Sequence, residues 1–93
     1  MLTEKTIKIL REKAEAYHVK RLLLFGSCLH KPEAEAGDID LAVEGIDDDK
    51  FLRFCSEIMF DKDIDKDIDL IDLSGFVTIL PAILAENVVI YEA

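Results

Sequence analysis

The chain has 93 residues, of which 51% are hydrophobic, with two prolines and four glycines. This length suits one small domain with one core, and the composition is that of a globular protein rather than a disordered one. Residues 1–93 are therefore predicted to form a single domain. No apolar run approaches the roughly 20 residues that a membrane-spanning helix needs, and the N-terminal stretch lacks a signal-peptide pattern. These features predict a cytoplasmic protein with no membrane partner.

The formal net charge is −9, and it is unevenly spread along the chain. Residues 1–21 carry six basic and three acidic side chains, whereas residues 22–93 carry five and seventeen. A surface this acidic repels a phosphate backbone, so direct nucleic-acid binding is not expected. Clustered acidic side chains suit bound cations or a basic protein partner instead. Cys28 and Cys55 lie in unlike contexts and are predicted to stay reduced.

The first predicted element is a helix over residues 3–17. Thr3 is a residue type that caps helices, and apolar side chains follow it at helical spacing, namely Ile7, Leu10, Ala14 and Tyr17. The next apolar run, residues 20–25, is too short for a helix and ends at a glycine. It is predicted to be a strand buried on both faces.

Two later segments alternate between polar and apolar residues and are predicted to be strands. In "DIDLAVE", residues 38–44, Asp38 and Asp40 share one face, and the opposite face carries Ile39, Leu41 and Val43. In "DIDLIDL", residues 67–73, one face carries Asp67, Asp69, Ile71 and Leu73. Each strand therefore presents a pair of carboxylates on one side of the sheet.

The remaining elements are two helices and a strand. Between the alternating segments, residues 47–59 have apolar side chains at helical spacing and three aspartates in the first turn. Pro81 fits the first turn of a short helix over residues 81–87, and "VVIYE" at residues 88–92 forms the last strand. The order predicts an α/β (α+β) domain in which a small mixed sheet has helices packed on it.

A Gly-Ser pair ends the first strand, where the chain must turn sharply. Gly26 allows the turn, and Ser27 is predicted to cap a helix start, so that backbone N–H groups beyond it form an anion site. For an isolated Gly-Ser pair, an ordinary turn is the commoner explanation. Asp38 and Asp40 follow ten residues later and repel one another unless a cation lies between them. Carboxylates in this arrangement suit Mg²⁺, which takes further ligands from water and substrate phosphates.

The sequence resembles a known pattern when these motifs are taken together. Gly26-Ser27 is followed after ten residues by Asp38-Ile39-Asp40, and a later strand carries Asp69. This pattern is that of the minimal nucleotidyltransferase (MNT) family, within the DNA polymerase beta superfamily. The similarity runs over nearly the whole chain and includes the leading helix, "RLLLFGS" and "ILAENVVIYE". It implies the polymerase-beta-like nucleotidyltransferase fold, with ATP as the usual substrate and two Mg²⁺ ions as cofactors.

The resemblance also implies a role for each motif residue. Gly26 and Ser27 would hold the β- and γ-phosphates, and Asp38 and Asp40 would bind both metal ions. Asp69 would hold one ion and help deprotonate the acceptor hydroxyl. Asp67 shares a face with Asp69 and remains an alternative third carboxylate, although Asp69 matches the family position better.

One departure from the family pattern follows the Gly-Ser pair. Family members commonly continue Gly-Ser-x with Ala-Arg-Gly, whereas this chain reads Cys28-Leu29-His30-Lys31, so His30 replaces the usual arginine. Lys31 is either a substitute charge one position along or a solvated surface lysine. Cys28 is predicted to fill space beside the site rather than to act as a nucleophile.

Minimal domains of this kind are often paired with a HEPN-type helical protein as antitoxin and toxin. The transferase then adds AMP to a tyrosine of its HEPN-type partner. The resemblance therefore implies a protein acceptor, and the acidic surface is compatible with one. A non-catalytic module that neutralises its partner by binding is the alternative, and homo-oligomerisation is left open.

The acidic run of residues 61–72 has a second explanation, because its acids fall at calcium-loop positions of an EF-hand. Lys66 stands where such a loop needs glycine, and Asp72 is shorter than the usual final glutamate. The apolar alternation from Ile68 onward also favours a strand. We therefore predict a solvated turn at Asp61, Asp63 and Asp65, followed by the third strand.

Overall fold

A computed structural model describes residues 1–75 and 80–93 of the chain. Three α-helices and a four-stranded sheet lie in this part: α1 (Glu4–Ala16), β1 (Arg21–Phe25), β2 (Ile39–Glu44), α2 (Asp48–Met59), β3 (Ile68–Asp72), α3 (Leu80–Ala85) and β4 (Val88–Glu92). The predicted order of elements and the small mixed α/β fold are confirmed. None of the helices described is long and apolar enough to cross a bilayer.

The sheet has the strand order β3-β2-β1-β4. β1 runs antiparallel to both β2 and β4, whereas β2 and β3 run parallel. A parallel pair needs a crossover connection, and α2 provides it. This crossover brings the two alternating segments side by side, with Asp40 opposite Asp69.

The main core lies between one face of the sheet and the helices α1 and α2. The fully buried side chains that fill it include Leu10, Leu22, Leu24, Ile39, Leu41, Val43, Phe54 and Ile58. The opposite face has a smaller cluster of Leu23, Ala42 and Ile83, the last from α3. Because Leu22, Leu23 and Leu24 are all buried, the prediction that β1 is covered on both faces is confirmed.

The start of α1 is fastened by hydrogen bonds that reach a distant loop. The Thr3 hydroxyl accepts a hydrogen bond from the backbone N–H of Thr6 at 3.2 Å, which confirms the predicted cap. The Glu33 carboxylate accepts from the Thr3 backbone N–H at 3.1 Å and from the Thr6 hydroxyl at 3.0 Å. The first turn of the helix therefore holds the loop that leads to β2.

We expect Thr3→Ala to lower the free energy of unfolding by about 1 kcal/mol, because the Thr6 N–H then loses its partner at the helix start. Urea denaturation at neutral pH measures the change. Thr3→Ser keeps the hydroxyl and should stay close to the parent protein. Equal stability of the alanine and serine variants would show that the hydroxyl contributes nothing to the cap.

Candidate active site

Asp40 and Asp69 lie next to each other on neighbouring strands. Phe25, Asp40 and Asp69 are register partners across β1, β2 and β3. Cross-strand partners share a face of the sheet, so the three side chains form one row. Ala42, two positions beyond Asp40 on β2, lies in the cluster opposite the main core. The row therefore lies on the sheet face that α3 covers in part.

Asp38 and Asp67 both precede their strands and are exposed. The backbone N–H of Ile39 donates to the carbonyl oxygen of Asp67 at 2.9 Å, which sets the parallel register. In this register Asp69, rather than Asp67, is the partner of Asp40. We call Asp38, Asp40 and Asp69 the carboxylate cluster.

The Asp40 carboxylate is affected by its burial and by the charges of the two other carboxylates. Burial raises the pKa of Asp40 above its ordinary value, and the negative charges of Asp69 and Asp38 raise it further. In residues 1–75 and 80–93 no basic side chain forms an ion pair with any member of the cluster. The cluster thus holds negative charge that a bound cation would neutralise.

This pKa shift predicts a stabilising substitution. The folded state of a carboxyl with a raised pKa keeps its proton to higher pH than the unfolded state, so stability falls as pH rises through that pKa. In metal-free protein at neutral pH, Asp40→Asn should therefore raise the free energy of unfolding by about 0.5–1 kcal/mol.

The gain should shrink as the pH falls towards the ordinary carboxyl range, where both states bind the proton. Thermal unfolding at a series of pH values tests this expectation. Asp65→Asn, at an exposed position outside the cluster, is the matched control. A gain that is the same at every pH, or equal in the two variants, would contradict the electrostatic explanation.

The turn at Gly26 lies directly against Asp40. Gly26 has a φ of +79°, and a Cβ atom placed there would lie 2.2 Å from the Asp40 Oδ2 atom. Residues Gly26–Leu29 then form a short 3-10 helix. Only a residue without a side chain allows the backbone to pass this close to the carboxylate.

The predicted capping role of Ser27 is wrong. The 3-10 helix begins at Gly26, so Phe25 is its N-cap, and no side-chain hydrogen bond caps it. The prediction placed the helix start after Ser27, but the left-handed Gly26 turns the strand into the helix one residue earlier. Ser27 lies within the turn, half-buried, and its carbonyl oxygen accepts from the N–H groups of His30 and Lys31.

Residues after the turn differ in their surroundings. Cys28 is completely buried, and burial raises the pKa of its thiol, which agrees with a packing role. His30 Nε2 forms a hydrogen bond with Glu86 Oε1, just beyond α3. Lys31 is exposed, and no ion pair of its side chain occurs in the described part. The residue at the usual arginine position therefore contacts a carboxylate near the end of α3.

The acidic run does not form a calcium loop. The Asp63 backbone N–H donates to Asp61 Oδ1 at 2.8 Å, which makes a local turn, and β3 begins at Ile68, inside the window. The Lys66 ammonium donates to the carbonyl oxygens of Ala34 and Ala36. The predicted turn and strand are confirmed.

The donor atoms of the carboxylate cluster fit Mg²⁺, which is a hard cation that prefers oxygen ligands. The negative charge of the cluster fits as well, because among the described residues no basic side chain forms an ion pair with it. Within the described ranges no three His, Cys, Asp or Glu side chains are placed so that they could hold a metal ion without further ligands. An open group is compatible with Mg²⁺, since this ion keeps several waters and binds substrate phosphates.

Comparison with known proteins agrees with this geometry. The family model "Polymerase beta, Nucleotidyltransferase" matches residues 4–93. None of the curated proteins compared with the chain matches it. Two solved structures share its fold. One is a mutant of the MntA-HpeT toxin-antitoxin, with a TM-score of 0.66 and 22% identity over 96% of this chain and 72% of that one.

The second solved structure is a toxin-antitoxin with AMP-PNP, with a TM-score of 0.67 and 19% identity. The match covers 94% of this chain and 73% of that chain. At these identities the two structures show a common fold, and the family model covers almost the whole sequence. The predicted resemblance is confirmed, and the chain belongs to the polymerase beta nucleotidyltransferase family.

Proposed function

We propose that the chain transfers AMP from ATP to a tyrosine hydroxyl of a HEPN-type partner protein, and so acts as an antitoxin. The observation that carries the proposal is the row of Asp40 and Asp69 lying against the Gly26 turn. This arrangement brings carboxylate oxygens, which are ligands for cations, directly against the backbone of the turn that would hold the phosphates. Residues 1–93 act as one minimal domain, in the cytoplasm.

The residues divide the tasks of this reaction among them. Asp38 and Asp40 would hold two Mg²⁺ ions and Asp69 one of them, while the backbone at Gly26 and Ser27 would hold the β- and γ-phosphates. Such ions would supply positive charge that offsets the negative charge of the reacting oxygens. The acceptor oxygen bonds to the α-phosphorus as the bond to pyrophosphate breaks, and Asp69 accepts the hydroxyl proton. Such a transfer depends on positioning and charge neutralisation more than on a covalent nucleophile.

A protein acceptor is supported by the charge of the chain and by its structural relatives. Residues 22–93 carry five basic and seventeen acidic side chains, a balance that favours a basic protein surface over a nucleic acid. The two similar structures are both described as toxin-antitoxin, one of them with AMP-PNP. A homo-oligomer is compatible with this role.

A non-catalytic binding module is the second candidate. The observation that favours it is the contact of His30 with Glu86, because the residue at the usual arginine position is already engaged by a carboxylate. In that case the chain would neutralise its partner by binding alone. The fold and the acidic surface would then serve recognition.

One incubation separates the two candidates. The chain is mixed with ATP, Mg²⁺ and the proposed HEPN-type partner, and the intact masses of both proteins are measured. A gain of one AMP on the HEPN-type protein, mapped to a tyrosine by peptide fragmentation, supports the transferase. A stable complex without any mass gain contradicts transfer and favours the binding module.

A further inference from the structure

Residues 30–38 form a loop that joins the Gly26 turn to the carboxylate cluster, and we call it the connecting loop. The Glu33 side chain ties it to the start of α1, as described above. Near its end Ala36 is 3% exposed. The Cys28 thiol lies 3.7 Å from the carbonyl oxygen of Asp38. The loop is thus packed against the domain rather than free in solvent.

Lys66 makes a further attachment of this loop. Its ammonium donates hydrogen bonds to the carbonyl oxygen of Ala34 at 3.0 Å and to that of Ala36 at 2.8 Å. The Lys66 side chain is half-buried, so these two bonds replace part of the hydration that its charge loses. A lysine that reaches from the start of β3 to two carbonyls of a neighbouring loop fixes the position of that loop.

This attachment affects Asp38, the member of the carboxylate cluster that strand pairing constrains least. Asp40 and Asp69 are held by the β2–β3 register, whereas Asp38 precedes β2 and is exposed. The backbone position of Asp38 therefore depends on the residues before it, which include both carbonyl partners of Lys66. Losing the lysine would remove the attachment of the loop that lies two residues before Asp38.

We propose that Lys66 is a positioning residue of the metal site, because it holds the connecting loop so that Asp38 lies beside Asp40. The inference rests on the proposed role of the carboxylate cluster. Lys66 itself contacts no reacting atom in this account. Its effect reaches the ions only through the loop backbone and Asp38.

The direction in which a Lys66 substitution changes the affinity for a divalent cation distinguishes a positioning role from a purely electrostatic one. Lys66→Met removes a positive charge near an acidic cluster, and by Coulomb's law alone this change would tighten the binding of a divalent cation. If Lys66 positions Asp38, the same substitution weakens binding, by about tenfold, the smaller of the effects usual for residues that orient metal ligands. The two mechanisms therefore predict opposite changes.

The experiment is a titration of the folded protein with Mn²⁺, followed by electron paramagnetic resonance in the absence of nucleotide. Lys66→Met should bind Mn²⁺ more weakly, and Lys66→Arg, which also donates to two carbonyls, should stay close to the parent. Lys62→Met is the matched control, because Lys62 is exposed and its side chain forms no ion pair among the described residues. It should leave binding unchanged or slightly tighter.

Amide hydrogen exchange provides a readout that does not involve metal. In Lys66→Met the amides of Ala36 and Ile39, which donate to the carbonyl oxygens of Pro32 and Asp67, should exchange faster, while those of β1 remain protected. Mn²⁺ binding equal to or tighter than that of the parent would overturn the positioning role. If the carboxylate cluster is not the metal site, the double substitution Asp38→Asn, Asp40→Asn will leave Mn²⁺ binding unchanged. This result distinguishes failure of the proposed site from failure of the positioning role.

Discussion

Asp40→Asn should reduce nucleotidyl transfer at least about a thousandfold, because it removes the charge of a proposed metal ligand at the centre of the carboxylate cluster. Asparagine has nearly the same shape as aspartate, and the strand around position 40 is held by pairing on both sides. The loss should therefore be one of chemistry and metal binding, not of folding. Initial rates of AMP transfer to the proposed HEPN-type partner at saturating Mg²⁺ measure the loss.

Asp69→Asn and Asp67→Asn form a matched pair for this prediction. Both residues are exposed aspartates at the start of the third strand, and only Asp69 is a register partner of Asp40. Asp69→Asn should lower the rate strongly, whereas Asp67→Asn should retain most of it. Equal losses at the two positions, or full activity of Asp40→Asn, would contradict the proposed assignment.

The second large effect is expected at Gly26. In Gly26→Ala the new Cβ atom would lie 2.2 Å from Oδ2, 3.0 Å from Cγ and 3.2 Å from Cβ of Asp40. Rotating the carboxylate relieves only the first contact, so the Asp40 side chain or its strand must also move. The φ of +79° adds strain for any residue with a side chain. We expect a loss of about 2–3 kcal/mol in the free energy of unfolding.

Substitutions at two other glycines show whether that loss of stability comes from the contact with Asp40 or from the strained backbone conformation. Gly37→Ala should be nearly neutral for stability, because a Cβ atom there meets nothing within 4 Å. Gly45 has the same φ of +79°, and its Cβ atom would lie 2.6 Å from Lys20 Cβ, far from the cluster in the sheet register. Gly45→Ala should therefore destabilise the fold but leave the activity per folded molecule unchanged.

Asp40→Ala provides a further check on the Gly26 contact. In that background the carboxylate is absent, so Gly26→Ala should destabilise the protein by less than it does in the parent. Chemical denaturation of the four proteins gives the coupling energy between the two positions. Additive effects of the two substitutions would show that the Cβ atom introduced at position 26 does not clash with the Asp40 carboxylate.

Much of the fold was predictable because local patterns and burial agree. Alternation in residues 38–44 assigned Asp40 to the face opposite Ile39, and the structure confirms this assignment. Thr3 was recognisable as a cap because its role depends on residues within one helical turn. Helix and strand boundaries were predicted to within one or two residues for the same reason.

Features that depend on long-range contacts were not predictable in this way. Alternation puts Asp67 and Asp69 on the same face, and only the pairing of β2 with β3 shows which of them is opposite Asp40. The contact of His30 with Glu86 joins residues 56 positions apart. In the sequence Lys66 is only a poor fit to a calcium loop, and nothing local indicates that its side chain reaches the carbonyl oxygens of Ala34 and Ala36.

We expect the carboxylate cluster and the Gly26 turn together to catalyse transfer of a nucleoside monophosphate. The most direct measurement uses ATP labelled at either the α- or the γ-phosphate, with Mg²⁺ and the proposed HEPN-type partner. The α-label should become bound to the partner and the γ-label should leave as pyrophosphate, and Asp40→Asn should abolish both. Attachment of the γ-label to the partner, or of neither label, would contradict this expectation.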